Sequence, residues 1–317
     1  MDSKLLIISG PTASGKTALS MKIANLFSAE IINADIGQFY TPFSVGTAKP
    51  DWKNQPVMHH LFDIINQPKD LTAFEYYNLV LNKAEEIWKE DKLPIVVGGS
   101  LFYIKSFYFP PQKIKHKKND IDIEKYVKEK KDLWKVLHEI DPDRANALHP
   151  NDIYRITRAL QIWQETGIKP SAYKPEYNPK FNSVFVFISP SKQELQERIN
   201  QRTIEMIKNE EWIQETKKII GTEWETFLKM KGLIGYPEII EWIKNGEKNQ
   251  DLSVLIENIQ CQTWQYAKRQ ITFWKSFKQL LIANKEKSDF VCDIIEVKGC
   301  DVQAVSLIEE YLNKNRQ

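Results

Sequence analysis

The chain has 317 residues, a net charge of +2 at neutral pH, 42% hydrophobic residues and 27% charged residues. These values predict a packed protein with one large domain plus an insertion, or with two domains. The net charge is too small to indicate a nucleic-acid partner by itself, so any basic surface must be local.

Cysteine usage and the N-terminal residues indicate the cellular compartment of the protein. The three cysteines have no metal-ligand spacing, and the odd count argues against a disulfide framework. The N-terminal residues lack a signal-peptide pattern, and no apolar run reaches the ~18 residues of a membrane span. We therefore expect a cytoplasmic protein with no membrane association. We also expect a monomer.

The first predicted strand, Lys4–Ser9, leads into Gly10-Pro11-Thr12-Ala13-Ser14-Gly15-Lys16-Thr17. This is the P-loop spacing of a glycine, four residues and Gly-Lys-Thr, and helical periodicity follows it. Such a loop turns backbone N–H groups toward phosphate at a helix N-terminus. Lys16 would reach the outer phosphates, and the Thr17 hydroxyl would bind a Mg²⁺ ion that bridges them.

The second predicted strand, Glu30–Asp35, ends in a carboxylate. Strand ends in a parallel α/β sheet face the ligand crevice, so Asp35 is predicted to face the phosphate loop. A loop aspartate that caps a turn is the alternative. Gln38 and Tyr40 follow closely and could line the same crevice.

Two adjacent histidines, His59 and His60, suggest a metal site. Neighbouring side chains do not converge and no third ligand has a familiar spacing, so a structural or phosphate-facing role is favoured. A helix follows from Thr72, with a capping box to Glu75. The third predicted strand and its turn, Lys92–Ser100, contain Gly98-Gly99, which would permit close approach of backbone to ligand.

The composition changes after Phe107. Nine lysines lie between Lys113 and Lys135, with acidic residues interleaved. A solvated helix face is the favoured interpretation, and a surface for phosphate backbones is the alternative. A helix from Ile153 to Glu165 then carries Arg155 and Arg158 on one face, a pair that suits phosphate.

The fourth predicted strand, Ser183–Ser189, precedes a helix that carries Arg198 and Arg202. The pattern stays helical to about Lys285, apart from an interruption at Gly232–Pro237. Near its end, Lys268 and Arg269 are flanked by Trp264, Tyr266 and Trp274. Aromatic residues beside basic ones can stack on unpaired bases, but a core stripe with a charged outer face is the favoured interpretation.

A last strand, Phe290–Val297, and a C-terminal helix complete the pattern. The fold class is α/β, a P-loop nucleotide-kinase-like parallel sheet of about five strands with helical insertions. We predict a P-loop core from residues 1–110, 183–204 and 288–317. A basic helical insertion would span 111–182, and a helical RNA-contacting segment 205–287.

The ordered set of motifs resembles one family. GPTASGKT, NADIGQFY, GTAKP, HHLFD, VGGSLFYI, DPDRANALHPNDIYRITRAL, GLIGYPEI and YAKRQITFW occur in this order. Together they resemble the tRNA dimethylallyltransferases, which prenylate N6 of adenosine 37 beside the anticodon. The resemblance runs from about residue 5 to residue 275 and implies the fold above, dimethylallyl diphosphate and tRNA as substrates, and Mg²⁺ as cofactor.

The resemblance also implies roles for individual residues. Asp35 matches the proposed general base, Gln38 a residue that reads the flipped base, and Arg202 an arginine that faces the diphosphate. The diphosphate would be bound by Gly10, Thr12, Ala13, Ser14, Gly15, Lys16 and Thr17. The tRNA would be contacted by Asp35, Ile36, Gly37, Gln38, Ser100, Tyr154, Arg155, Arg158, Gly232, Gly235, Tyr236, Lys268 and Arg269.

The chain departs from the family pattern at three places. The family usually has serine after the aspartate, where this chain has Ile36, and Val45 stands in the lead-in to Gly46. After Met206 the family's glycine-leucine pair is replaced by Asn209-Glu210-Glu211-Trp212. The Ile36 departure bears on how the RNA would be gripped there.

In the reaction that the resemblance implies, Lys16, Arg202 and Mg²⁺ on Thr17 neutralise the leaving pyrophosphate. Asp35 accepts the N6 proton, and the adenine must be flipped out of its stack. The alternatives are a nucleotide kinase that binds ATP in the same loop, a non-catalytic P-loop protein, and an enzyme that prenylates free adenine nucleotides. The basic helical insertions favour the anticodon stem-loop as substrate.

Overall fold

The structure is a computed structural model that describes residues 4–110, 132–247 and 252–314, without the side chains of Tyr154, Glu165 and Lys314. The chain divides into two compact units. Unit 1 comprises Met1–Tyr108 and Tyr177–Gln317, and unit 2 comprises Phe109–Glu176. Most of the lysine-rich stretch falls in residues 111–131 and so lies outside the described residues.

Unit 1 is built on a parallel sheet of six strands in the order β3-β2-β4-β1-β5-β6. Consecutive neighbours are all parallel, with Leu6 opposite Ile95 and Leu6 opposite Val184 on the two sides of β1. The strands are Lys4–Ser9 (β1), Ala29–Asn33 (β2), His59–His60 (β3), Leu93–Gly98 (β4), Asn182–Ile188 (β5) and Cys292–Val297 (β6). The prediction of an α/β fold with a parallel sheet is confirmed.

The described helices of unit 1 lie between and after these strands. Lys16–Leu26 (α1) follows the P-loop, and the capping box predicted at Thr72 and Glu75 starts the next helix. The bounds of the remaining helices of this unit are Ala73–Lys89 (α2), Leu101–Lys105 (α3), Lys192–Lys208 (α4), Glu211–Lys217 (α5), Glu223–Lys231 (α6), Tyr236–Lys244 (α7), Leu252–Asn284 (α8) and Val302–Lys314 (α9).

The sheet is covered on both faces, which is why its central strands are nearly continuous apolar runs. One core cluster joins Leu6 and Ile8 of β1 to Ile23 of α1 and Ile308 of α9, all buried. Elsewhere on the sheet, aromatic rings of β5 pack on α8. Phe187 and Trp274 stack there with their ring centroids 4.5 Å apart.

The carboxyl ends of β1, β2 and β4 meet at one edge, where their loops are joined by hydrogen bonds. The Ser9 hydroxyl donates to the Gly98 carbonyl at 2.8 Å, and the Ser100 N–H donates to the Ala34 carbonyl at 3.1 Å. A Cβ at Gly98 would lie 2.0 Å from the Ala34 carbonyl oxygen, so this approach requires glycine. The ligand crevice of a parallel sheet forms at such an edge.

The sequence predicted about five strands, and the additional one is β3, formed by His59 and His60. A nitrogen of the His59 ring lies 2.7 Å from the Val57 carbonyl oxygen, and His60 Nε2 lies 2.6 Å from the Glu30 carboxylate. His60 therefore ties β3 to β2, and His59 fixes the segment that leads into β3. None of the helices in the described part of the chain is long and apolar enough to cross a membrane.

Unit 2 is helical where it is described. Its helices are Leu133–Ile140, Pro142–Asn146 and Ile153–Thr166. They enclose a small core that includes Leu137, Ala145, Ile156 and Leu160. The Trp134 indole N–H donates to the Ala145 carbonyl at 2.9 Å and ties the first helix to the second.

Candidate active site

The loop Gly10–Thr17 joins β1 to α1 and lines a cavity of about 690 Å³. Ala13 and Gly15 have left-handed backbone, with φ of 62° and 93°. A non-glycine residue in this conformation marks a specialised loop, and such turns point N–H groups into a concave, anion-binding surface. Ser14 is buried, and within the described residues its hydroxyl has no hydrogen-bond partner. The loop can thus offer both backbone and hydroxyl donors to a phosphate group.

Lys16 folds back over this loop. Its Nζ donates to the carbonyls of Gly10 at 3.1 Å and Pro11 at 2.8 Å. Burial lowers the pKa of Lys16 to about 8, Asp35 counteracts that shift, and Arg202 adds to it. Asp35 therefore offsets only part of the effect of burial on the Lys16 ammonium, and a phosphate dianion would stabilise the charged form further.

Asp35 lies just past β2 at the same edge of the sheet. Its N–H donates to Asn33 Oδ1 at 2.9 Å, and its Oδ1 accepts the Gly37 N–H at 3.2 Å. Asn33 also donates to the Leu61 carbonyl at 3.1 Å, so the turn is tied to the neighbouring loop. Asp35 does cap a short 3₁₀ turn, Ile36–Phe39, as one interpretation of the sequence supposed, and it also lines the crevice.

Arg202 projects from α4 into the same crevice. Burial raises the pKa of Asp35 above its usual value, and Lys16, the Gly37 N–H and Arg202 act in the opposite direction, in that order. Burial likewise lowers the pKa of Arg202, and Asp35 counteracts it. Two cations and one carboxylate of raised pKa therefore share one partly desolvated space.

The residues after Asp35 are largely engaged with other loops. The Gln38 amide donates to the carbonyls of Thr47 at 3.0 Å and Ala48 at 3.3 Å. A Cβ on Gly37 would lie 2.8 Å from the Thr47 methyl group, so a side chain at this position would collide with that loop. The Ser100 hydroxyl accepts the Ile36 N–H at 3.0 Å. These contacts fix the backbone around Asp35.

A second cavity of about 370 Å³ adjoins the first. Asp35, Arg202 and Thr47 line both cavities. The second cavity adds apolar and aromatic walls, contributed by Ile199, Met206, Trp212, Leu233, Ile234 and Tyr266. Asp35 and Arg202 therefore lie where a phosphate-lined space meets a space suited to a planar base or a short hydrocarbon.

The glycine-rich turn before α7 forms one wall of the second cavity. Gly232 and Gly235 have φ of 60° and 92°. A Cβ on Gly235 would lie 2.0 Å from the Trp212 ring, and one on Gly46 would lie 2.2 Å from Trp212 Nε1. Tyr236 is fully buried, and its hydroxyl donates to Glu215 at 2.6 Å. Of the predicted tRNA-contacting residues in this turn, Gly232 is exposed and Tyr236 is part of the core.

Glu215 holds the loop on the opposite wall. Its carboxylate accepts the N–H groups of Ser44 at 2.7 Å, Val45 at 2.9 Å and Gly46 at 3.2 Å. Helix α5 thus fixes the loop that carries Thr47 into both cavities. Val45, one of the departures noted in the sequence, lies at this contact, and Trp212, from another, lies against the next residue, Gly46.

Lys268 and Arg269 lie exposed on α8, and Arg269 lines the second cavity. Lys268 Nζ is 5.8 Å from the Trp264 ring centroid, and the Arg269 guanidinium is 5.9 Å from that of Tyr266. The three aromatic residues of the predicted stripe therefore differ in burial. Trp274 is core, and Trp264 and Tyr266 are partly buried beside the cations.

Arg155 and Arg158 lie on Ile153–Thr166 of unit 2, away from its core. Arg155 forms an ion pair with Asp152 at 3.3 Å, and Arg158 donates to the Gln161 side chain at 3.2 Å. The side chain of Tyr154 lies outside the described residues. Both arginines are accessible to a phosphate-rich partner.

Across residues 4–110, 132–247 and 252–314, no group of three or more His, Cys, Asp or Glu side chains could hold a metal ion. Mg²⁺ commonly binds to one or two protein ligands, with phosphate and water oxygens completing its octahedron. Thr17 is exposed in the first turn of α1, at the phosphate-lined cavity. Among the described residues, the exposed Thr17 hydroxyl is therefore suited to an ion that arrives with a diphosphate.

Sequence reasoning missed two residues that shape the site, Glu215 and Gln270. Their contacts join segments far apart in the chain, so no local spacing marks them. One feature of the sequence could have indicated the role of Gln270. This residue shares the buried face of α8 with Ala267 and Trp274, at i, i+3 and i+7, and a polar residue on such a face needs partners.

Comparison with known proteins agrees with this geometry. A family model described as IPP transferase matches residues 38–277. A tRNA dimethylallyltransferase of Thermoanaerobacter sp. is 36% identical over 294 residues, which cover 87% of this chain and 90% of the relative. That of Finegoldia magna is 34% identical over 328 residues and covers 100% of both chains.

The fold has a counterpart among solved structures. A eukaryotic dimethylallyltransferase acting on tRNA matches with a TM-score of 0.76 at 26% identity, and covers 99% of this chain and 81% of that chain. The family match, the full-length relatives and this structural likeness agree with each other, and the chain belongs to the IPP transferase family.

Proposed function

We propose that this protein transfers a dimethylallyl group from dimethylallyl diphosphate to N6 of adenosine 37 in the tRNA anticodon loop. The observation that carries the proposal is the position of Asp35 and Arg202 at the junction of the two cavities. A donor with its diphosphate in the P-loop cavity would place its reactive carbon beside both residues. The acceptor base would then approach from the second cavity.

Departure of the diphosphate is assisted by cations. The C–O bond to the diphosphate breaks as the new C–N bond forms, and the allylic carbon carries positive charge in between. Lys16, Arg202 and the N-terminus of α1 stabilise the negative charge that develops on the leaving oxygens. Their partial desolvation strengthens this effect, because electrostatic interactions grow as water is excluded.

The proton on N6 goes to Asp35. Attack by the exocyclic amine leaves a proton that must depart, and a carboxylate in the crevice can accept it. Burial raises the pKa of Asp35, which makes the carboxylate a stronger base than an exposed aspartate. The products are N6-prenylated adenosine, pyrophosphate and a proton on Asp35 that solvent then removes.

We further propose that Mg²⁺ accompanies the diphosphate. Thr17 would hold it through its hydroxyl, and the bound ion would supply charge neutralisation at the leaving group. Lys16 and Arg202 supply the protein's own share of that charge. ATP, which the same loop binds in nucleotide kinases, has no place in this reaction.

The RNA is gripped by local basic surfaces. Arg155, Arg158, Lys268 and Arg269 are suited to phosphate oxygens and accessible to them. Tyr266, partly buried and lining the second cavity, offers a ring on which an unstacked base can stack. The target adenosine must leave its stack, because N6 cannot reach Asp35 otherwise.

The test is mass spectrometry of tRNA after incubation with the protein and dimethylallyl diphosphate. The expected product is one adenosine in the anticodon loop heavier by one C5H8 unit. Unmodified tRNA together with a prenylated AMP in a parallel reaction would contradict the proposal and favour a free-nucleotide acceptor. Turnover of ATP with a nucleoside monophosphate would instead favour a kinase.

A further inference from the structure

We infer that Gln270 is a positioning residue that sets the distance between the diphosphate loop and the turn that holds Asp35. This inference rests on the proposed function for its chemical meaning. Gln270 lies on α8 and is 6% exposed. Its side-chain amide contacts two active-site loops at once.

Both ends of the amide are used. Oε1 accepts the Thr12 N–H at 2.9 Å, and Nε2 donates to the Gly99 carbonyl at 2.9 Å. The reverse orientation of the amide would place two donors, or two acceptors, against each other. The partners therefore define which end is oxygen and which is nitrogen.

Gly99 is shaped for this contact. A Cβ there would lie 2.4 Å from Gln270 Nε2, so any other residue would displace the amide. The next residue, Ser100, accepts the Ile36 N–H through its hydroxyl at 3.0 Å. One path of hydrogen bonds thus runs from Thr12 through Gln270 and the Gly99–Ser100 turn to the residue after Asp35.

The contact has a consequence for the phosphate loop. Because the Thr12 N–H already donates to Gln270, it is not available to a diphosphate. The N–H groups further along the loop must therefore bind the diphosphate. Gln270 instead fixes where the loop begins its turn. Losing it leaves a part-buried Thr12 N–H without its partner and leaves the Gly99 carbonyl with only the Leu101 N–H as donor, at 3.0 Å, and the two loops can then move apart.

The test compares three variants with the parent enzyme. Gln270→Leu removes both hydrogen bonds at similar volume. Gln270→Glu keeps the shape and the acceptor for Thr12, but an ionised carboxylate cannot donate to Gly99. Gln260→Leu is the matched control, because Gln260 lies on the same helix and its side-chain amide donates to the Asn200 carbonyl at 3.2 Å.

Three quantities are measured: the Kd for inorganic pyrophosphate by calorimetry, the Kd for an anticodon stem-loop, and the single-turnover rate of prenyl transfer. For Gln270→Leu we expect pyrophosphate affinity and rate each to fall at least tenfold, with stem-loop affinity within twofold of the parent. Gln260→Leu should change none of them. Equal losses of pyrophosphate affinity, stem-loop affinity and Tm in Gln270→Leu would overturn the inference, since the residue would then be merely structural.

The Gln270→Glu variant decides the matter even if the leucine variant does not fold. When it is protonated, the introduced carboxyl group can again donate to Gly99, and burial favours the protonated form. The pyrophosphate affinity of Gln270→Glu, taken relative to the parent at each pH, should therefore recover as pH falls from about 8 to about 6. A flat ratio would overturn the inference. Pyrophosphate binding needs no RNA, so a parent that binds pyrophosphate but modifies no tRNA would refute the proposed function alone.

Discussion

Across the crevice, Lys16 and Asp35 stabilise each other's charged form. The Asp35 carboxylate raises the pKa of Lys16, and the Lys16 ammonium lowers that of Asp35, each against the effect of burial. The acid limit of activity and the alkaline limit of phosphate binding are therefore linked through one pair of side chains.

The first prediction is a bell-shaped dependence of kcat/KM on pH, since this parameter reports the free enzyme. Activity needs Lys16 protonated, so it should fall above about pH 8, where Lys16 loses its proton. It also needs Asp35 ionised, so it should fall at acid pH, at a higher pH than for an ordinary aspartate. The alkaline limb of kcat should lie higher, because bound diphosphate stabilises the ammonium.

The same pair gives this prediction a control. Removing the carboxylate in Asp35→Asn takes away the interaction that raises the pKa of Lys16. Pyrophosphate affinity of the variant should then decline at a lower pH than that of the parent. An unchanged alkaline limit in Asp35→Asn would show that the two groups are not coupled.

The second prediction concerns Lys16 as a stabiliser of the leaving group. Lys16→Ala should lose on the order of 3 kcal/mol of transition-state stabilisation, a rate reduction of about 10²-fold. Lys22→Ala is the matched control, because Lys22 is exposed on the same helix and donates to the Cys300 carbonyl. The measurement is the single-turnover rate of prenyl transfer. A rate near that of the parent in Lys16→Ala would show that the pyrophosphate does not bind in this loop.

The third prediction separates catalysis from folding at Asp35. Asp35→Asn keeps the shape and can still accept the Gly37 N–H, but its amide cannot accept the N6 proton. We expect a Tm within a few degrees of the parent, stem-loop affinity largely kept, and single-turnover prenylation slowed at least ~100-fold. A rate within about threefold of the parent would exclude Asp35 as the base. Unfolding or loss of RNA binding at a normal residual rate would make it a structural residue.

The fourth prediction concerns the two arginines of unit 2. Phosphate contacts release counterions, so stem-loop affinity should fall steeply as salt concentration rises. The Arg155→Ala/Arg158→Ala double variant should reduce the slope of log Kd against log salt by about 2. Lys285→Ala/Lys287→Ala, in the turn after α8, serves as a control of equal charge loss. Equal salt slopes for the parent and the double arginine variant would show that the RNA binds to another surface.

The fifth prediction concerns the contact of Trp212 with Gly46. Gly46→Ala should destabilise the parent by about 1–3 kcal/mol, because its Cβ would overlap Trp212. In a Trp212→Leu background that cost should shrink by at least about 1 kcal/mol. Gly232→Ala is the comparison, since none of the described residues beyond its chain neighbours lies within 4 Å of its Cβ position and its cost should not depend on Trp212. Urea melts of the four cycle members measure the coupling, and additive effects would contradict it.

Local patterns were enough to predict the phosphate loop and the position of Asp35. The P-loop spacing specifies a strand, a turn and a helix, and parallel strands place their carboxyl ends at one edge. The structure confirms the parallel sheet. It also places Asp35 after Asn33, the last residue of β2, so the strand is shorter than the sequence predicted.

The contacts that complete the crevice could not be predicted in this way. Thr12 and Gln270 are 258 positions apart, and Ser44 and Glu215 are 171 apart. Periodicity reports which face of an element is buried, and it does not report which loop that face will meet. The strand His59–His60 was missed because its two residues are too few to show an alternating pattern.

The order of the sheet has a consequence for synthesis of the chain. β1 to β4 are made first and can form the sheet β3-β2-β4-β1 alone, with β1 at its edge. The other neighbour of β1 is β5, whose pairing begins at Asn182 opposite Lys4, beyond the whole of unit 2. A ribosome that pauses while translating residues 110–180 would hold a nascent chain whose open strand edge is the apolar run Leu5–Ile8. An unpaired edge of this kind recruits other strands, so these pauses are where we expect a chaperone to bind the growing polypeptide.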